Sequence, residues 1–189
     1  MTQCGGSHKK VNMTKRRTAL LHVLICVIAM ATAAQPQTPA SKSAESPLAP
    51  VAWLVGGTWT SDVKDPQDGS VTHVENHITW APNHQAIQFV TDFNGKPHYN
   101  GFYAYDPAKK SITFYYTSEA GQLTIGTTTP DADGKTLRQE FDMISPNGNT
   151  GHARSTIVRD GNDAYLFTVF EQQDGGWKQI FQITYRRTM

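Results

Sequence analysis

The chain has little that would stabilise it covalently. Only two of its 189 residues are cysteine, Cys4 and Cys26, and both lie among the first 33 residues. The rest of the chain therefore has no thiol for a disulfide, a thiolate metal site or a cysteine nucleophile. A body of about 155 residues is nevertheless long enough to be stabilised by one hydrophobic core.

Long apolar runs are also scarce. The longest, residues 19–30, is too short to span a bilayer comfortably. Basic residues at 15–17 precede it and the small residues Ala-Thr-Ala at 31–33 follow it. This order is typical of a secretory signal peptide. We predict a signal peptide at 1–33 and an exported protein, periplasmic or extracellular, without stable membrane association after cleavage; an uncleaved N-terminal anchor is the alternative.

A strong net charge is absent as well. Five of the 17 Lys and Arg residues lie within the predicted signal peptide, and none of the 16 acidic residues does. The remaining 12 basic and 16 acidic side chains give the rest of the chain a net charge near −4. A mildly acidic surface of mixed signs argues against nucleic acid or an anionic membrane as a partner.

The remaining chain divides into a spacer and a β-rich domain. Residues 34–50 are rich in Pro, Ser and Ala, which predicts a flexible spacer. The domain then occupies residues 51–189. A short helical turn is predicted over 48–54, with Trp53 and Leu54 packing across the end of the domain. After residue 56 no segment has the 3.6-residue apolar period of an amphipathic helix.

Turn signals recur every 10 to 15 residues after Gly57. Each supplies Gly, Asn or Asp where positive φ is needed, or Pro where φ is preset. They lie at 65–69, 82–83, 94–95, 106–107, 120–121, 131–134, 146–148, 160–161 and 174–176. Nine turns divide the domain into ten strands. We predict an all-β fold, an antiparallel up-and-down β-barrel of about ten strands preceded by a short helical turn.

Several of these strands alternate apolar and polar residues with a period of two, as half-buried strands do. In the last strand, Trp177, Phe181, Ile183 and Tyr185 are predicted to share the inner face. A ten-stranded barrel encloses a cavity unless large side chains fill it. The rings predicted to point inward, which either line or fill that space, are Phe89, Phe93, Tyr99, Tyr103, Phe114, Tyr116, Phe141, Phe167 and Phe181.

The start of the domain carries a family resemblance. Gly57 and Trp59 match the Gly-x-Trp opening of the calycins, which include lipocalins and fatty-acid-binding proteins. The whole domain resembles the lipocalin-like domains of unknown function that bacteria often export. This resemblance implies that Trp59 packs at the closed end of the barrel beneath a basic residue from the last strand. Arg186 and Arg187 are the candidates, and we assign the role to Arg186.

Two features depart from this family. Lipocalins usually carry disulfides, which the predicted mature chain cannot form. A ten-stranded haem-binding relative uses a histidine late in the chain as its ligand, whereas the last histidine here is His152. We therefore expect no haem and no other cofactor.

One cluster of polar side chains has the composition of a metal site. His73, Glu75 and His77 point the same way from one strand, and two imidazoles with a carboxylate suit zinc. The opposite face of the strand carries Val74 and Ile78, which places the three polar side chains toward solvent. We expect a solvated polar face here and no metal.

The expected function is non-catalytic binding of a small hydrophobic or amphipathic molecule inside the barrel. No Gly-x-Ser-x-Gly elbow is present, so no catalytic residue is assigned. Arg154 is expected to pair with an acidic head group if its side chain points inward. The predicted ligand-binding residues are Phe89, Tyr103, Phe114, Tyr116, Phe141, Arg154 and Phe167.

Two other functions remain open at this point. The first is an isomerase or cyclase that uses a cavity tyrosine or carboxylate as its proton donor; an ionisable cavity group with a strongly shifted pKa would favour it. The second is an interaction module without a cavity, which an exposed apolar patch would favour.

Overall fold

The fold is a closed antiparallel barrel, seen in a computed structural model that describes residues 46–188. The predicted signal peptide and residues 34–45 of the predicted spacer lie outside the described residues. A 3-10 helix, Ala49–Leu54, precedes ten strands. These are β1 Thr58–Lys64, β2 Val71–Trp80, β3 Ala86–Phe93, β4 Lys96–Asp106, β5 Ser111–Ser118, β6 Leu123–Pro130, β7 Thr136–Ile144, β8 Thr150–Asp160, β9 Ala164–Gln173 and β10 Gly176–Thr188.

Each strand pairs with its neighbour in sequence, and β1 pairs with β10 to close the barrel. The predicted fold class, the ten strands and the nine turns between them are therefore confirmed. The closing ladder is short, since it joins only residues 58–60 to residues 186–188. No helix within 46–188 is long and apolar enough to cross a membrane.

One end of the barrel is closed by the 3-10 helix. Leu48, Val51 and Leu54 are all at most 2% exposed and pack with Trp59 in the core. Leu48 thus belongs to the folded body, although the sequence places it in the spacer. The Nε1 of Trp59 donates a 2.7 Å hydrogen bond to the carbonyl oxygen of Leu54. This bond ties the helix to the first strand.

The basic residue above Trp59 is Arg187, so the assignment of this role to Arg186 is wrong. The Arg187 guanidinium lies 4.2 Å from the centre of the Trp59 ring. The two residues face each other across the β1–β10 ladder, whereas Arg186 pairs with Thr60. Residues paired across a ladder share one face of the sheet, and Trp59 points inward, so Arg187 does too.

Arg187 also holds the end of the 3-10 helix. Its Nη2 donates to the Trp53 carbonyl at 2.7 Å, and its Nη1 donates to the carbonyls of Val55 and Gly56 at 3.1 and 2.6 Å. These carbonyls lie at the helix C-terminus, where they have no partner within the helix. One side chain thus joins the last strand, the helix and the first strand.

The inward and outward alternation holds along most strands but is reversed within β10. The register against β9 shifts between Gln179 and Phe181, so Ile180 is an extra residue. Such a bulge inverts the facing of the residues on one side of it. Phe181 lines the interior as predicted, whereas Trp177 lies outside, with the Arg154 guanidinium 4.1 Å from its ring centre. The prediction for Trp177 is therefore wrong.

Replacing Arg187 is expected to weaken the whole barrel. In Arg187→Met the aliphatic stem remains, but the three bonded carbonyls lose their donor and Trp59 loses its cation. We expect the free energy of unfolding to fall by about 3 kcal/mol, measured by urea denaturation. Arg186→Met is the matched control and should lose less than about 0.5 kcal/mol. Equal losses in the two variants would contradict the role given to Arg187.

Candidate functional site

The barrel encloses a cavity of about 460 Å³. Its lining comes from Leu54 of the 3-10 helix and from every strand except β6. The volume lies within the range of small-molecule pockets, about 300–1,000 Å³. The aromatic residues of the lining are Phe89, Phe93, Tyr99, Tyr103, Phe114, Tyr116, Phe141, Tyr165, Phe167, Phe181 and Tyr185.

The cavity is closed at one end and accessible at the other. Leu54, which lines the floor, is 1% exposed. Ile180 and Phe181 line the opposite end and are 45% and 37% exposed. The bulge at Ile180 brings both of these neighbouring side chains to the cavity mouth. The accessible end of the cavity therefore lies near the β9–β10 turn, and the closed end lies at Leu54.

A hydrogen-bonded network of polar side chains lies on the cavity wall. Gln139 donates from Nε2 to Thr128 at 3.1 Å and to the Tyr103 hydroxyl oxygen at 3.3 Å, and its Oε1 accepts from Ser155 at 2.7 Å. The Gln139 amide is thereby held in one orientation. Since the Tyr103 oxygen accepts this bond, its own hydrogen can be directed at a ligand.

The lining is neutral. Among the described residues that line the cavity, none is Asp, Glu, His, Lys or Arg. Burial raises the pKa of Tyr103 to about 12, opposed in part by the hydrogen bond from Gln139. Burial also raises the pKa values of Tyr165 and Tyr185. The hydroxyls of these tyrosines therefore stay protonated at neutral pH and serve as hydrogen-bond donors and acceptors.

A family model described as "Protein of unknown function (DUF1579)" matches residues 55–187. The chain belongs to this family. No curated protein is significantly similar to it in sequence. The match covers all ten strands up to Arg187, so the DUF1579 domain and the barrel described above are the same unit.

Six of the seven predicted ligand-binding residues come together in the cavity of this DUF1579 domain. The rings of Phe89, Tyr103, Phe114, Tyr116, Phe141 and Phe167 all line it. Whether they bind a ligand stays a prediction.

Arg154 lies on the outer face, so the described lining contains no cation for an acidic head group. Its neighbours Ala153 and Ser155 are buried, and alternation along β8 turns Arg154 outward. There it donates to Glu140 at 2.9 Å, with its side chain 48% exposed. The prediction that it could face the ligand is corrected by this orientation.

Sequence reasoning did not assign two amide side chains to the lining. Asn76 and Gln139 both reach the cavity. A signal was available for Gln139, because it lies between Leu137 and Phe141 in an otherwise apolar inward stripe. A polar residue at such a position needs a buried partner or a ligand.

Two glycines keep the cavity wall closely packed. Gly101 lies opposite Tyr116, and Gly126 lies opposite both Phe114 and Phe141. A Cβ at Gly126 would collide with the Glu140 carbonyl oxygen and the Phe141 Cβ, and would lie 2.9 Å from Phe114 Cε1. Glycine lets the wall bend beneath these rings.

Gly126→Ala should therefore destabilise the barrel and disturb the adjoining rings. We expect a loss of about 2 kcal/mol from overpacking against the backbone, measured by thermal or urea unfolding. Gly151→Ala in β8 is the matched control, because the nearest atom to a Cβ there is the flexible Met143 Cε at 3.6 Å. If Gly126→Ala leaves the free energy of unfolding unchanged, the close contact between β6 and its two neighbouring strands does not require glycine.

The buried tyrosines predict a loss of stability at high pH. An unfolded tyrosine ionises near pH 10, whereas the pKa of Tyr103 is raised to about 12 in the folded state. The contribution of Tyr103 to the free energy of unfolding is complete below the pKa of an unfolded tyrosine. It is lost as the pH rises through the folded-state pKa of Tyr103.

Measured from pH 8 to 12, the urea midpoint should fall more steeply in the parent protein than in Tyr103→Phe. Tyr115→Phe is the control, since Tyr115 is 46% exposed on the outer face. It should follow the parent curve. If Tyr103→Phe does so too, Tyr103 does not contribute to the alkaline transition.

Proposed function

We propose that this DUF1579 domain is a lipocalin-like barrel that binds a small, uncharged, largely apolar molecule in its interior. The observation that carries the proposal is the 460 Å³ cavity with its aromatic lining and neutral polar groups. Each aromatic ring that a ligand covers contributes by burial of apolar surface, about 25 cal/mol per Å². The tyrosine hydroxyls and the side chain of Asn76 would orient a carbonyl, hydroxyl or ether group.

The absence of charge in the lining supports a neutral ligand rather than a fatty acid. A carboxylate in this cavity would meet no Lys or Arg among the described lining residues. Burial of an unpaired charge costs several kcal/mol. Among the amphipathic molecules that the sequence analysis allows as ligands, we therefore expect only those with an uncharged head group.

The same lining makes the isomerase or cyclase hypothesis weaker. Proton transfer near neutral pH needs a group whose pKa lies near 7. The ionisable groups of the described lining are tyrosines, and burial raises the pKa values of Tyr99, Tyr103 and Tyr116 rather than lowering them. These residues suit hydrogen bonding to a bound molecule better than acid–base catalysis.

An interaction module without a cavity is also less well supported. An apolar patch does exist on the outer face, where Phe102, Tyr115 and Ile125 are neighbours across β4, β5 and β6. Tyr115 and Ile125 are 46% and 45% exposed. An interaction module of this kind would not explain the cavity with its aromatic lining.

We also propose that the protein is exported, on the basis of the predicted signal peptide.

The first test is binding of a neutral fluorescent probe, N-phenyl-1-naphthylamine, whose emission rises in apolar surroundings. The protein should enhance its fluorescence with saturation. Val169→Trp, which fills part of the cavity, should weaken probe binding by at least about tenfold. Ile125→Trp adds the same ring on the outer face and should bind like the parent. Near-UV circular dichroism confirms that both variants are folded.

The second test separates neutral from anionic ligands of equal length. 1-Decanol should displace the probe at a concentration at least about tenfold lower than decanoate, because only decanoate carries a charge into the neutral cavity. Absence of probe binding, or equal binding by the two tryptophan variants, would overturn the proposal of a cavity ligand. Stronger displacement by decanoate would overturn the preference for an uncharged head group.

A further inference from the structure

A group of acidic and histidine side chains lies on the outside of the barrel, away from the cavity. It spans β1, β2 and β3 and consists of Asp62, His73, Glu75, His77 and Asp92. The side chains of Glu75, His77 and Asp92 are 34%, 42% and 18% exposed, so a small ion can reach all three. We propose that these three side chains bind a divalent transition-metal ion of the zinc class.

The distances between the three side chains are close to those of a metal site. One ligand atom from each lies within 4.8 Å of the other two. The Nε2 of His77 is 3.9 Å from Glu75 Oε2 and 3.7 Å from Asp92 Oδ2. Atoms about 2.1 Å from a tetrahedral zinc ion are about 3.4 Å apart. Small side-chain rotations therefore suffice to bring the three atoms into one coordination sphere.

The sheet holds these residues in place. Glu75 and Asp92 face each other directly across the β2–β3 ladder, and Thr58 faces His77 across the β1–β2 ladder. The Thr58 Oγ1 lies 3.2 Å from His77 Nδ1. When Nδ1 carries the proton and donates to Thr58, the lone pair on Nε2 faces the two carboxylates. Such an outer hydrogen bond commonly orients a metal-binding histidine.

A second histidine flanks the site. The His73 Nδ1 lies 2.7 Å from Asp62 Oδ1, and its Nε2 lies 3.6 Å from Glu75 Oε1. Glu75 is thus placed between the two imidazoles. His73 lies beside the Glu75 oxygen that does not face His77.

The carboxylates of the site lack a basic counter-ion. Within residues 46–188, neither Glu75 nor Asp92 forms an ion pair with a Lys or Arg side chain. The Oδ1 of Asp92 is buried and has no hydrogen-bond partner within that range. The other oxygen of this carboxylate, Oδ2, is the one that faces His77 Nε2. A cation bound at Oδ2 would offset part of the cost of burying the carboxylate.

The ligand types indicate the class of metal. One imidazole nitrogen and two carboxylate oxygens suit zinc and its neighbours in the transition series, whereas calcium and magnesium prefer all-oxygen sites. Three protein ligands leave at least one coordination position for water. Asp92 is the residue that sequence reasoning missed, because its proximity to Glu75 depends on the register between two strands.

The test is zinc binding by the full chain in which Cys4 and Cys26 are replaced by serine to remove thiol ligands. Competition with a chromophoric chelator should reveal a site whose affinity falls by at least about tenfold in His77→Gln and in Asp92→Asn. His152→Gln is the matched control, because His152 also lies among carboxylates, 2.9 Å from Asp142 and 3.3 Å from Glu140. It should retain the affinity of the parent.

A second readout is the thermal midpoint. Zinc should raise the midpoint of the parent and of His152→Gln but not that of His77→Gln, since an ion bound only by the folded state stabilises it. Excess calcium should not displace the zinc. The proposal is overturned if the parent takes up no zinc, if His77→Gln binds it as the parent does, or if His152→Gln loses as much affinity as His77→Gln. Near-UV circular dichroism verifies that each variant is folded.

Discussion

The stacking of Arg187 on Trp59 joins the first and last strands of the barrel, which share its shortest backbone ladder. The first and last strands share only three paired positions. The guanidinium also donates hydrogen bonds to three backbone carbonyls at the C-terminal end of the 3-10 helix. Closure of the sheet and closure of the cavity floor therefore depend on the same side chain. Without a closed floor, the aromatic rings above it would face water instead of enclosing a cavity.

The cavity remains open because aromatic rings line its wall without meeting in the middle. At Gly101 and Gly126 any side chain would collide with the backbone and Cβ atoms of the neighbouring strand, and at Gly126 also with the ring of Phe114. The polar groups that share the wall, of which Gln139 is the best connected, are satisfied by neutral partners. A neutral wall of this kind favours ligands that bring no charge with them.

Apart from Arg187 and the buried tyrosines, the ionisable side chains discussed above lie on the outer face, where alternation along the strands brings them together. On β8 it turns Arg154 toward Glu140 and Trp177. On β2 it turns Glu75 and His77 toward Asp92 of the next strand. The barrel thereby has two chemically distinct surfaces, an aromatic interior whose described lining is neutral and an outer face that brings carboxylates and histidines together. The two sites have no residue in common.

The amino-acid pattern by itself determined the fold class, the strand count and the inward facing of rings such as Phe89 and Phe114, because turn residues and period-two alternation are local properties of the chain. It could not determine which arginine covers Trp59, since that depends on the register with which residues more than a hundred positions apart meet. It also missed the reversed facing of Trp177, because that facing depends on the bulge at Ile180, which the register between β9 and β10 places. Only the tertiary structure decided that the rings leave space between them, that Arg154 is excluded from it, and that Asp92 lies beside His77, since each depends on how neighbouring strands pair and bend.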